Sequence, residues 1–207
     1  MTELLHRPPP QPQWQELGVV LAAGEGRRFG GPKAPVLIDG ERLVDRAVRV
    51  LRQGGCQRVL VVLGAWVGAV PHATVRVNPH WPTGMGSSLR WGLQHLLAEA
   101  STASHNPRAR RALITLVDLP GLTPAAVQRL CREPDDLLAA SYGGQQGHPV
   151  LIGERHWPDL IAELSGDYGA RHYLQRHRTR LIPLDNLASG ADLDHQPGLK
   201  RGDRPVR

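Results

Sequence analysis

Small residues and cations crowd one stretch of the chain, Leu21-Ala22-Ala23-Gly24-Glu25-Gly26-Arg27-Arg28-Phe29-Gly30-Gly31-Pro32-Lys33. Glycine and alanine let backbone N–H groups approach a polyphosphate closely, and Arg27, Arg28 and Lys33 supply charge to meet it. Two familiar phosphate loops do not fit. A P-loop needs a Gly-Lys pair followed by Ser or Thr, which does not occur here. A dinucleotide fingerprint needs GxGxxG, whereas after Gly24 and Gly26 the third glycine arrives one place late, at Gly30. Two further segments could do chemistry. Asp118, in Leu116-Val117-Asp118-Leu119-Pro120, follows an apolar run, and a lone carboxylate beside bound phosphates suits Mg²⁺, which takes one or two carboxylates together with phosphate oxygens and water. Asn78-Pro79-His80-Trp81-Pro82-Thr83-Gly84-Met85-Gly86-Ser87-Ser88-Leu89 is rich in turn formers and feeds a helical pattern. It reads as polar ligand recognition at a helix start, or as a plain Ser N-cap with Trp81 packed beside it.

The elements that must position these residues alternate. Leu17–Ala22, Arg58–Leu63, Thr74–Val77 and Ala112–Val117 are short apolar runs that read as strands. Helical patterns lie over 43–53, from Ser87 to about Glu99, and after Thr123, with Pro124 at the first helical position. Later strands are expected at 137–140, 149–152 and 179–184, with short helices near 156–164 and 170–177. Wholly apolar strands alternating with helices imply an α/β three-layer sandwich with a mainly parallel, Rossmann-like sheet. Such sheets bind ligands at the carboxyl ends of their strands, where all three motifs fall.

The 207 residues suit one domain. Residues 1–15, with Pro8, Pro9, Pro10 and Pro12, read as a disordered leader, 16–199 as the domain and 200–207 as a basic tail. The net charge of +6 suits anionic partners. Much of the excess sits in that tail and in Arg108, Arg110 and Arg111, which read as solvated charge. Without aromatic-basic interleaving, no nucleic-acid partner is expected. No apolar run reaches the length of a membrane span or a signal peptide, so no membrane partner is expected either. Two cysteines without metal-ligand spacing, Cys56 and Cys131, fit a reducing, cytoplasmic setting.

The glycine-rich stretch resembles the LAAGxSxRMGxxK signature of nucleotidyltransferases, and more narrowly that of the molybdenum-cofactor cytidylyltransferases. Leu21, Ala22, Ala23, Gly24, Arg28 and Lys33 match, while Gly26 replaces the usual Ser and Phe29 the usual Met. By the resemblance, Leu21 to Gly24 hold the nucleotide and Arg28 and Lys33 bind its phosphates. The Gly26 replacement removes a hydroxyl contact. The Leu-Ala-Ala-Gly form resembles the CTP-using branch rather than the GTP-using one. The second segment resembles NPxWxxGMSSSL, departing at Gly86, and places Gly84 and Ser88 near base and ribose. Asp118 falls in a DxPxL metal motif.

Three C-terminal segments extend the likeness over residues 17–199. Gly147-His148-Pro149-Val150-Leu151 resembles GHPVLF, and Gly166-Asp167-Tyr168-Gly169-Ala170-Arg171 resembles GDxGAR. These place His148, Asp167 and Arg171 on the acceptor side, with Arg171 as the anion contact and His148 as either an acid–base group or a packed, hydrogen-bonded residue. Asp192-Leu193-Asp194 resembles the family ending that completes the metal site, with Asp192 as second ligand and Asp194 as fallback. The resemblance thus implies Mg²⁺-dependent transfer of a nucleotide, CMP from CTP, onto a phosphorylated pterin, with a molybdoenzyme or its chaperone as protein partner. Guanylyl transfer, a sugar-phosphate acceptor and a non-catalytic nucleotide-binding partner remain as alternatives. The pair Lys33 and Asp118 argues against the last of these, since a pure binder needs no metal carboxylate.

Overall fold

A computed structural model describes residues 14–102, 110–167 and 169–193. Nine strands and five α-helices are described in the order β1 (Gln15–Ala22), β2 (Leu37–Ile38), β3 (Glu41–Arg42), α1 (Leu43–Gln53), β4 (Arg58–Leu63), β5 (Thr74–Val77), α2 (Met85–Thr102), β6 (Arg110–Leu116), α3 (Pro124–Cys131), β7 (Leu137–Tyr142), β8 (Gln145–Gly153), α4 (Trp157–Glu163), α5 (Arg171–Arg176) and β9 (Arg180–Pro183). Short 3₁₀ turns precede α2 and α4. Seven strands form one sheet in the order β5-β4-β1-β6-β8-β7-β9. From β5 to β6 every pairing is parallel, and so is β7 with β9, while β8 runs antiparallel to both its neighbours.

The apolar runs are continuous because both sheet faces are covered. On β1, Val20 and Ala22 point into the core shared with α1 and α3, while Leu17, Val19 and Leu21 point into the other core. β4 divides likewise, Val59, Val61 and Leu63 against Leu60 and Val62. α1 brings Leu43, Val44, Val48 and Leu51 to the first core. α2 brings Leu89, Leu93 and Leu96 to the second, with Trp157 and Leu160 of α4 and Tyr173 and Leu174 of α5. Each such side chain contributes about 1.5–3 kcal/mol when fully buried, so the helices are held by the sheet more than by their own propensity.

The sequence expectations need four corrections. β1 begins at Gln15, inside the stretch read as a leader; residues 1–13 and the tail lie outside the described residues. α2 starts at Met85, so Ser87 stands in its first turn and is not its N-cap. A two-residue hairpin, β2–β3, turns at Asp39 and Gly40, both with positive φ. Finally, Arg110 and Arg111 are not solvated charge. Arg110 pairs with Glu154. Arg111 is fully buried at the amino end of β6, where it donates to Glu16 of β1 and to the carbonyls of Cys131, Glu133 and Asp135 and lies 4.7 Å over the Trp14 ring. Burial pushes the Glu16 carboxyl up, more than its bond to Arg111 lowers it.

Thr123 caps α3 as expected, its hydroxyl accepting from Ala126 N at 3.2 Å.

Candidate active site

The loop after β1 is a tight turn built on one carbonyl. Gly26 O accepts from the backbone N of Phe29, Gly30 and Gly31 at 2.9, 2.9 and 3.2 Å. Gly26 has φ +63°, and a Cβ there would lie 2.0 Å from Gly31 O. The residue that replaces the usual Ser is therefore a requirement of this turn, and the change is more than a lost hydroxyl. Phe29 is buried, and its ring lies 5.7 Å from Lys33 Nζ. Arg27 pairs with Glu25. Arg28 is exposed and lines the cleft described below.

Lys33 reaches across to the end of β6. Its Nζ donates to Asp118 Oδ2 at 2.6 Å, and both side chains are less than one-fifth exposed. β1 and β6 are parallel neighbours, paired from Gln15–Arg110 to Leu21–Leu116, so their carboxyl ends bring two distant motifs together. The third motif joins from α2. Asn78 is fully buried at the end of β5, and its Nδ2 donates to the hydroxyls of Ser87 and Ser88 at 2.9 and 3.1 Å. The sequence marks this role of Asn78 only by a polar residue between the short β5 and the Pro79 turn. Gly84 has φ +116°, and a Cβ there would lie 2.4 Å from the Gly166 carbonyl. Gly86 N donates to Gly166 O at 2.9 Å, so the departure at Gly86 falls where α2 meets the 164–167 loop.

Two clefts result. One, of about 470 Å³, is lined by Leu21, Ala22, Ala23, Gly24, Gly26, Arg28 and Lys33, together with Trp81, Gly84, Ser88 and Asp118. The second, of about 800 Å³, has an apolar floor that includes Leu89, Ile114, Val150 and Leu174. Its rim carries Gln145, Gln146, His148, Arg171 and His172. Leu21, Met85 and Asp167 line both, so the clefts share a wall. The expected nucleotide residues thus gather in one cleft and His148, Asp167 and Arg171 in the other.

His148 is half-buried, its Nδ1 3.4 Å from Ile114 O. Burial pulls its pKa below the ordinary value, against the opposing effects of the Ile114 carbonyl and the charges of Asp118 and Asp192. A neutral, packed imidazole is the better description. Asp192 is exposed, and the next residue, Leu193, donates its backbone N–H to Asp118 O at 2.9 Å, which brings the two segments together in space. Asp194 lies outside the described residues.

Among the described residues no group of three or more His, Cys, Asp or Glu could hold a metal ion. A cage for zinc or calcium is therefore absent among them. Asp118 with one further carboxylate such as Asp192 would suit an ion that draws its other ligands from phosphate and water, the habit of Mg²⁺. The two thiols are free. Burial pushes Cys131 up to about 12 and Cys56 well above its usual range, so neither is a nucleophile. No described helix is long and apolar enough to cross a membrane.

A parallel sheet with a glycine loop, a cation–carboxylate pair and a helix N-terminus at its carboxyl edge defines a nucleotide-handling α/β fold. Residues 18–181 match the family described as the MobA-like NTP transferase domain. The chain belongs to that family of nucleotidyltransferases. It is 36% identical over 196 residues to the nicotine blue oxidoreductase of Paenarthrobacter nicotinovorans, covering 86% of this chain and 91% of that one. It is 34% identical to a probable molybdenum cofactor guanylyltransferase of Opitutus terrae, over 56% of this chain and 55% of that one. The crystal structure of Rv0371c from Mycobacterium tuberculosis superposes with a TM-score of 0.69 at 26% identity, covering 87% and 93% of the two chains. A manganese complex of Rv0371c superposes at 0.63 with 25% identity, covering 82% and 88%.

Proposed function

We propose that the protein transfers CMP from CTP to a phosphorylated pterin of the molybdenum-cofactor type, releasing pyrophosphate. The observation that carries this reading is the 2.6 Å Lys33–Asp118 pair, which joins the end of the glycine loop to the end of β6 in a cleft that shares a wall with a second, wider one. The smaller cleft takes the triphosphate, with backbone N–H groups and Arg28 around its phosphates. The wider one takes the acceptor, its ring on the apolar floor and its phosphate toward Arg171. An acceptor phosphate oxygen attacks the α-phosphorus, the bond to the β-phosphate oxygen breaks, and pyrophosphate carries away the electron pair. A phosphate monoester is already anionic near neutral pH, so no strong base is needed, consistent with a neutral His148. Catalysis is then positioning and charge stabilisation. Lys33 offsets charge on the leaving pyrophosphate. A divalent ion, Mg²⁺ in this reading, is held by Asp118 and Asp192 and supplies further neutralisation of phosphate charge. The manganese complex of Rv0371c supports a divalent ion. The free thiols support a reducing, cytoplasmic setting.

CTP rests on the resemblance of Leu21-Ala22-Ala23-Gly24 to the CTP-using branch; the relative named a guanylyltransferase favours GTP instead. The relative named nicotine blue oxidoreductase favours a different second reading, redox chemistry. The deciding assay is pyrophosphate release with CTP, GTP or ATP, divalent metal, and the phosphorylated pterin present or omitted. Release with CTP that depends on the acceptor is expected. Bleaching of nicotine blue by the protein with a nicotinamide or flavin reductant, and no pyrophosphate release with any triphosphate, would overturn the transfer reading.

A further inference from the structure

The chain after β9 forms a strap across the site. Leu187 and Ala188 donate to Leu184 O in a tight turn. The following residues then lie along the loop after β6. Thr123 Oγ1 donates to Leu187 O at 2.7 Å, Ser189 N to Gly121 O at 3.2 Å, and Leu193 N to Asp118 O at 2.9 Å. This strap carries Asp192.

One ring joins the strap to the acceptor side. Gly190 lies against Tyr142 so closely that a Cβ there would stand 2.4 Å from the ring Cδ2 and 2.6 Å from Cε2. A Cβ on Gly147 would stand 3.0 Å from Cδ2 of the same ring. The Tyr142 hydroxyl donates to His148 O at 3.0 Å. Burial, and then the charge of Asp185, push the phenol up, so it stays a proton donor at neutral pH. Asp185 itself accepts from Gly143 N at 2.6 Å, pinning the start of the strap to the β7–β8 turn. The ring thus packs against the strap, and the hydroxyl holds the 147–148 segment of β8.

We propose that Tyr142 is a positioning residue that sets Asp192 and the 147–148 segment of β8 together, dividing the work between its ring and its hydroxyl. The proposal rests on the reading of Asp192 as a metal-holding carboxylate. A merely structural tyrosine would affect melting alone. A positioning tyrosine predicts two separable losses, because its two parts touch different segments.

The test is Mn²⁺ uptake, read by the electron paramagnetic resonance of free Mn²⁺ in the presence of α,β-methylene CTP or its GTP counterpart. It is run on the full chain, on Tyr142→Phe, Tyr142→Ala, Gly190→Ala and Asp192→Ala, with melting followed by circular dichroism. Tyr142→Ala and Gly190→Ala are expected to weaken Mn²⁺ uptake roughly tenfold or more, as loss of an outer partner of a metal ligand does. Tyr142→Phe keeps the ring, so its Mn²⁺ affinity stays within about twofold, while its KM for the acceptor rises about fivefold with kcat unchanged, the size of one lost hydrogen bond. Should Tyr142→Ala not fold, Gly190→Ala displaces the strap from the other side and decides the matter. Wild-type Mn²⁺ affinity in Gly190→Ala and in any folded Tyr142→Ala, alongside a loss in Asp192→Ala, overturns the proposal and leaves Asp192 as ligand. Wild-type affinity in Asp192→Ala removes Asp192 from the metal site, and the proposal falls with it.

Discussion

The two halves of the sheet end in clefts of different make-up. From β5 to β6 all strands are parallel, and the cleft at their ends joins a glycine loop and one helix start to the side chains of Arg28, Lys33, Trp81 and Asp118. From β8 to β9 the order breaks into an antiparallel hairpin, and the cleft there is edged by long side chains, Gln145, Gln146, Arg171 and His172. A triphosphate is the same in every nucleotide, so a fixed set of peptide N–H groups and a few charged side chains can serve for it. An acceptor differs from one enzyme to the next, and side chains are what substitution can change.

The sharpest break between the halves should come at their shared chemistry. Asp118→Ala is expected to lower the rate of pyrophosphate release roughly a thousandfold, with the circular dichroism spectrum unchanged; near-wild-type turnover at limiting metal would remove Asp118 from the metal site. Next in size is a change confined to the backbone half. Gly26→Ser restores the residue usual in the resembling signature, yet the positive φ and the Gly31 carbonyl oppose it, so KM for the triphosphate should rise about tenfold or more. An improved KM would mean that the loop relaxes freely. Arg171→Ala addresses the other half: acceptor KM should rise about tenfold, the weight of a charge-assisted hydrogen bond, while triphosphate KM holds. Equal rises in both constants would show that the halves are not independent.

The smallest effect is one of pH, behind the acceptor cleft. His156 Nδ1 meets Tyr173 OH at 2.9 Å, and burial pulls its pKa below the ordinary histidine value, against the charge of Asp136 and with that of Arg155 and His177. The unfolded chain therefore takes this proton first, so the contribution is full above about pH 6.5 and is lost as pH falls below it. Replacing His156 with Gln should narrow the fall in Tm between pH 7.5 and pH 5.5 by about 2 °C; an unchanged fall assigns the acid sensitivity to other groups.

What could be read from the chain follows the same division. In the parallel half β1, β4 and β6 were legible because burial on both faces writes a continuous apolar run such as Val59–Leu63, whereas the edge strand β5 is largely open to solvent and carries no such run. Lys33 and Asp118 could be placed together because both follow such runs. The β2–β3 hairpin escaped despite its Asp39-Gly40 turn, since two residues per strand leave no period to detect. The antiparallel course of β8 and the strap carrying Asp192 also escaped. Both are fixed by hydrogen bonds between residues far apart in sequence, such as Leu193 N to Asp118 O, and no local pattern records them.

Arg111, sealed at the amino ends of β1 and β6, gives the fold an asymmetry of a practical kind. One pole carries the exchangeable loops, and the other is clamped by a guanidinium that holds three carbonyls and a carboxylate at once. Loop grafting to change the acceptor can proceed at the first pole with little cost to the scaffold. A library that reaches Arg111 or Glu16 would spend its members on chains that do not fold, because a buried charge stripped of its partner is among the most damaging changes a core can receive.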